Sequence, residues 1–221
     1  MTETALNILL WTAVSIGFIH TLIGPDHYLP FIVIGKARNW TVSRTLLITI
    51  LCGLGHVLSS VLIGAIGIAV GTAVGNLESI ESVRGEIASY ALIVFGTIYG
   101  IWGLWRARKG HAHKHLPNGE HLGNGNARSM TFWTLFIVFV LGPCEPLIPI
   151  LMFPAVKHDW YGVAIVTLAF GMATISTMCA LVYAASKGLS FVKTRALEKY
   201  VHAMAGGIIA LSGMAIKIFG I

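Results

Sequence analysis

Six apolar runs, at about 6–35, 45–75, 87–105, 131–155, 161–186 and 200–221, fix what this chain can be. A helix rises about 1.5 Å per residue and needs about 20 residues to cover ~30 Å of hydrocarbon. Each run reaches that length, and the first, second and fourth exceed it. Charged residues make up 11% of the 221 and hydrophobic ones 56%. Soluble domains carry about 25% charged residues, and one of this size could not cover its surface with so few. A soluble enzyme, a nucleic-acid-binding domain and a disordered tail are excluded. The expected class is an all-α integral membrane protein that acts as a carrier and not as an enzyme.

The net charge of +6 sits in the loops between the runs. Lys36, Arg38 and Arg44 follow the first run. Arg106, Arg108, Lys109, Lys114 and Arg128 follow the third, and Lys187, Lys193, Arg195 and Lys199 follow the fifth. Only Arg84, Lys157 and Lys217 fall on the other side. The positive-inside rule then places both termini outside and the three basic loops in the cytoplasm, in a multi-pass protein of the inner membrane. The first run has no basic residues before it and outlasts a signal-peptide core, so it reads as an uncleaved span. Cys52, Cys144 and Cys179 all lie inside apolar runs, and this odd count is no disulfide framework.

Two of the runs carry proline where a helix cannot continue. The first holds Gly24-Pro25-Asp26-His27-Tyr28-Leu29-Pro30; the fourth holds Gly142-Pro143-Cys144-Glu145-Pro146-Leu147-Ile148-Pro149. Each is Gly-Pro, two polar residues able to bind a proton or a metal, and a further proline. The following runs also match, with Gly55-His56 and Ser59-Ser60 in one and Gly171, Thr174 and Ser176 in the other. The pattern predicts six transmembrane helices as two inverted three-helix repeats, residues 1–105 and 131–221, with helices 1 and 4 broken. The halves flank a cytoplasmic loop at 106–130. Inverted repeats with discontinuous helices are a common transporter plan, with the site near the midplane.

Ionisable residues within a span are costly and mark function. Asp26 and Glu145 are the two acids read as lying inside spans, and His20, His27 and His56 are the intramembrane histidines. With Cys144 they offer imidazole, carboxylate and thiol, a set suited to a borderline first-row cation. The loop adds His111, His113, His115 and His121, a flexible metal-gathering tract. Gly67, Gly71 and Gly75 recur every four residues, spacing that lets helices approach closely within the bundle or in a homo-oligomer.

The run from His20 to Asp26-His27 resembles the first-helix signature of the nickel/cobalt transporter superfamily, in particular its UreH-like members. The spacing has one residue more than the best-known permease branch. That resemblance implies transport of divalent transition-metal ions, nickel or cobalt and then zinc. The metal would be cargo rather than a tightly bound cofactor, with His20, Asp26, His27, His56, Cys144 and Glu145 at the site. The bilayer and metal ions would be its partners, with no nucleic acid. The run Leu141-Gly142-Pro143-Cys144-Glu145-Pro146 also resembles the Pro-Cys motif of the thiol-reducing membrane electron carriers of the DsbD/CcdA type. Those place a cysteine in each half, whereas Asp26-His27 occupies that place in the first half here. A thiol–disulfide electron carrier is therefore the alternative reading, and a small-anion exporter a further one.

Overall fold

The computed structural model describes residues 2–70, 74–108, 125–142, 146–157, 159–189 and 195–219. All of the regular structure within them is helical: α1 (Glu3–Ile23), a 3-10 turn (Pro25–His27), α2 (Leu29–Ala37), α3 (Val42–Val70), α4 (Val74–Arg108), α5 (Gly125–Leu141), α6 (Leu147–Val156), α7 (Trp160–Leu189) and α8 (Arg195–Phe219). Among the described residues α1, α3, α4, α7 and α8 are long and apolar enough to cross a membrane, and α5 and α6 carry shorter apolar stretches. The chain is a multi-pass membrane protein. Its outer faces agree: Trp11, Ile66, Ile98, Ile101, Leu168 and Met172 are exposed, as lipid-facing side chains are.

Both proline-rich runs are interrupted. α1 ends at Ile23, and Gly24 and Pro25 turn the chain into the 3-10 segment, because Pro25 offers no N–H to continue the ladder. α2 restarts with Pro30 in its first turn, where the missing donor is unneeded. The other break falls between Leu141 and Leu147. α2 closes on Asn39, which adopts a left-handed φ of 52°, while the Trp40 N–H donates to the Gly35 carbonyl at 2.9 Å.

α4 departs from the sequence reading. It begins at Val74 rather than near residue 87, and the apolar window runs Asn76–Arg108. Glu78, Glu81, Arg84 and Glu86 dilute the hydropathy of its first turns, so the run seemed to start later. Two residues assigned to a loop therefore belong to the bundle. Glu81 is fully buried and Arg84 is only 11% exposed. Among the described residues, Asp26 is therefore not the only acid set within the bundle.

α4 packs along α8, α1 along α7, α3 along α7 and α5, and α2 along α8. The α4–α8 seam is the tightest. A Cβ added at Gly206 would stand 2.2 Å from the Gly100 nitrogen, so only glycine permits this approach. Gly67 is filled from within the chain, by Leu77 of α4. Gly71 lies outside the described residues, and so do the surroundings of Gly75. One apolar core joins Phe31, Ile34, Cys52, Phe139, Met178 and Ile209; a second joins Ala13, Val57, Leu147, Leu151, Val166 and Phe170. The helix breaks sit between these two cores.

Candidate functional site at the helix breaks

Three histidines converge beside the first break. His20 lies in the last turn of α1, His27 ends the 3-10 turn and His56 sits mid-way along α3. The rings of His20 and His27 meet at a centroid distance of 4.7 Å with an interplanar angle of 80°, and His27 meets His56 at 5.1 Å and 89°. Their donor nitrogens all lie within 4.8 Å of one another. His27 and His56 are buried and His20 half-buried.

Hydrogen bonds orient two of the rings from behind. His27 Nδ1 lies 3.3 Å from the Gly24 carbonyl and 3.2 Å from Asp26 Oδ1. His56 Nδ1 lies 3.2 Å from the Phe139 carbonyl on α5. These oxygens can only accept, so each Nδ1 donates. The three Nε2 atoms are buried with no hydrogen-bond partner. Asp26 thus stands behind His27 rather than among the converging nitrogens.

A network not anticipated from the sequence fixes the second break. Arg84 Nη2 donates to the Val140 carbonyl at 2.6 Å, to the Gly142 carbonyl at 3.2 Å and to Ser59 Oγ at 2.7 Å. Its Nη1 donates to Glu81 and to Ser60 Oγ, and Ser60 Oγ donates to Glu81 Oε2 at 3.0 Å. A helix end leaves its last carbonyls without partners, and the Arg84 guanidinium satisfies them at the end of α5. Ser59 and Ser60, expected to accompany His56, serve this network; Ser59 Oγ also donates to the His56 carbonyl. The sequence signal was Glu81 and Arg84 at i, i+3 spacing, unusual in so apolar a chain.

A cavity of about 610 Å³ connects the parts. His20, His27 and His56 line one region of it, and Glu86 and Lys217, an ion pair at 3.3 Å with both side chains solvent-facing, line another. Gly142 and Pro146 also line it. They bracket Pro143, Cys144 and Glu145, which lie outside the described residues, as do His111, His113, His115 and His121. The expected site set is therefore brought together for its histidines and Asp26. Cys52 is buried in the same core as Val138 and Phe139, which line the cavity, one helical turn before His56. Cys179 is partly buried on α7, and both thiols are free.

Residues 30–215 match the cytochrome c biogenesis protein transmembrane region family. The chain belongs to that family. No curated protein and no solved structure matches it. Family membership corrects the nickel/cobalt transporter resemblance and the nickel/cobalt transport it implied. The matched segment starts at residue 30, after the His20–His27 signature, and the six-span length, inverted halves and His-rich loop that extended the transporter resemblance over the whole chain are not specific to transporters. A histidine pair at a helix break is a local arrangement that unrelated membrane folds can reach. The match agrees instead with the alternative raised by the Pro-Cys motif.

Proposed function

We propose that this chain is a thiol–disulfide carrier of the inner membrane that passes reducing equivalents across the bilayer for cytochrome c assembly. The observation that carries this is the family match over residues 30–215, which includes the Gly142-Pro143-Cys144 break. Cys144 is the reacting thiol. Its sequence neighbours Gly142 and Pro146 line the cavity, and Arg84 holds its guanidinium on the Gly142 carbonyl.

Cys52 is the second thiol of the pair. It packs in the same apolar core as Val138 and Phe139, which line the cavity, and lies on α3 one turn before His56, whereas Cys179 lies on α7. The Cys144 thiolate attacks a substrate disulfide, and one substrate sulfur leaves as thiolate and takes a proton. The Cys52 thiolate then attacks Cys144 of the mixed disulfide and releases the second substrate thiol. The substrate gains two electrons and two protons, and the chain is left with a Cys52–Cys144 disulfide, to be reduced again by a dithiol donor. A Cys52–Cys144 disulfide requires the two Cα atoms within about 7 Å of each other in the oxidised chain.

The helix pairings support the inverted repeat behind this reading. With α1–α2 and α5–α6 as the broken helices, α1 against α7 corresponds to α5 against α3, while α4–α8 and α3–α7 each correspond to themselves. The excess of Lys and Arg in the basic loops supports an orientation with the α2–α3 turn on the cytoplasmic side and the Glu86–Lys217 end of the cavity outside. Trp40 and Trp102, each under an arginine at 5.2 and 5.3 Å, sit at the cytoplasmic interface in this orientation.

The test is acid trapping followed by alkylation and peptide mass mapping in cells. A Cys52–Cys144 disulfide should accumulate when the reductant is withheld. Cys144→Ser and Cys52→Ser should abolish cytochrome c maturation, and Cys179→Ser should leave it intact. Normal maturation in Cys144→Ser, with Cys144 reduced under every condition, would refute the carrier.

A further inference from the structure

We propose that His20, His27 and His56 form a three-imidazole transition-metal site lining the cavity, with one coordination position left open. This site is independent of the thiol step.

The hydrogen-bond pattern carries the argument. Nδ1 of His27 faces the Gly24 carbonyl and the Asp26 carboxylate, and Nδ1 of His56 faces the Phe139 carbonyl. Each of these nitrogens must hold the proton, so each Nε2 presents a lone pair. The three Nε2 atoms are buried without a hydrogen-bond partner, and no hydrogen bond fixes the tautomer of His20, so its ring can offer a lone pair beside those of His27 and His56. Buried acceptors left without a donor are costly, and converging lone pairs add repulsion. A cation at their focus removes both penalties. A backing oxygen on the far ring nitrogen is also how metal-binding histidines are usually oriented.

The donors select the ion class. Neutral imidazoles suit zinc and copper and disfavour magnesium and calcium. A tetrahedral ion with bonds of about 2.0–2.1 Å sets its nitrogens roughly 3.3 Å apart. The three nitrogens, all within 4.8 Å of one another, reach that separation by small ring rotations. Three protein ligands with an open fourth position characterise a reactive site rather than a structural one. The cavity, which runs on to Glu86 and Lys217, gives that position access to small ligands.

The experiment uses the full chain in detergent, with His111, His113, His115 and His121 replaced by Asn so that the loop contributes no sites. Zn²⁺ and Cu⁺ are titrated separately against a competing chelator. The expected result is one ion per chain. His27→Ala and His56→Ala should each weaken binding at least tenfold, and His202→Ala, on α8 and bonded to Tyr99, should not change it. X-ray absorption of the loaded protein with its three site histidines intact should place nitrogen scatterers at about 2.0 Å, a readout that needs no variant to fold. Failure of both ions to bind, or a coordination sphere without imidazole, would overturn the site.

Discussion

His27 and His56 stand edge to face with ring centroids 5.1 Å apart, one at the end of a 3-10 turn and the other mid-way along α3. The contact exists because α1 stops at Gly24. Had the helix run on, His27 would project from α1 about two turns beyond His20. Instead the turn folds His27 back until its ring lies 4.7 Å from that of His20.

Gly24 is the residue that permits the fold-back. A Cβ there would lie 2.6 Å from His27 Nδ1. The backbone, at φ −77° and ψ 99°, suits any residue, so a substitution acts through collision alone. Gly24→Ala should displace the His27 ring, lower stability by about 1–3 kcal/mol as overpacking does, and weaken Zn²⁺ binding. Thermal unfolding in detergent and chelator competition check both effects; unchanged values would mean that the ring moves freely.

Arg84 joins three elements, α3, α4 and the end of α5. Arg84→Met would leave Glu81 buried without its guanidinium and strip the Val140 and Gly142 carbonyls of their donor. Removing one partner of a buried pair costs about 3–5 kcal/mol. The double variant Glu81→Gln, Arg84→Met should recover part of that loss, because no uncompensated charge remains. Comparing the unfolding midpoints of the two variants tests this, and equal midpoints would argue against a burial-driven pair.

Much of this was legible in the sequence, and the misses have physical causes. Gly-Pro at 24–25 and at 142–143 marked both breaks, because proline's missing donor is a local property. The approach of His20, His27 and His56 was less legible, since it depends on how α3 packs against the break. Glu81 and Arg84 were misplaced because a hydropathy window averages a buried ion pair into a loop. The Gly67, Gly71 and Gly75 spacing drew attention, yet the closest helix approach lies at Gly100 and Gly206, on helices far apart in sequence. A small-residue motif shows that a helix can be approached but does not identify its partner.

Asp159 provides a pH-dependent element outside the membrane. Its carboxylate caps α7 by accepting the Gly162 N–H at 2.8 Å, and that bond holds its pKa below the usual carboxylate value. A depressed folded pKa means the cap is fully effective above about pH 4, the unfolded value, and is lost as pH falls through the folded one. Asp159→Asn keeps an acceptor without a titrating group, so its unfolding midpoint should depend less on pH below 4. Parallel pH profiles for the two proteins would show that the cap contributes nothing.

Asp26 separates orientation from charge at the histidine cluster. Its Oδ1 is 3.2 Å from His27 Nδ1, on the ring nitrogen that faces away from the unpartnered Nε2. Asp26→Asn retains an oxygen that can accept from Nδ1, so the ring keeps its direction and loses only the neighbouring negative charge. Asp26→Ala removes both, leaving the Gly24 carbonyl as the partner that holds the ring. Loss of a backing group of this kind typically costs 10–100-fold in metal affinity. Zn²⁺ affinity should therefore fall in the order unsubstituted protein, Asp26→Asn, Asp26→Ala, with the last about 10–100-fold weaker than the first. If Asp26 were instead a direct ligand, both variants would lose binding to a similar degree, and X-ray absorption of the unsubstituted protein would show an oxygen beside the nitrogens. Under the proposed carrier reading, cytochrome c maturation should not follow this order, because no step of the proposed thiol exchange passes through the Asp26 carboxylate.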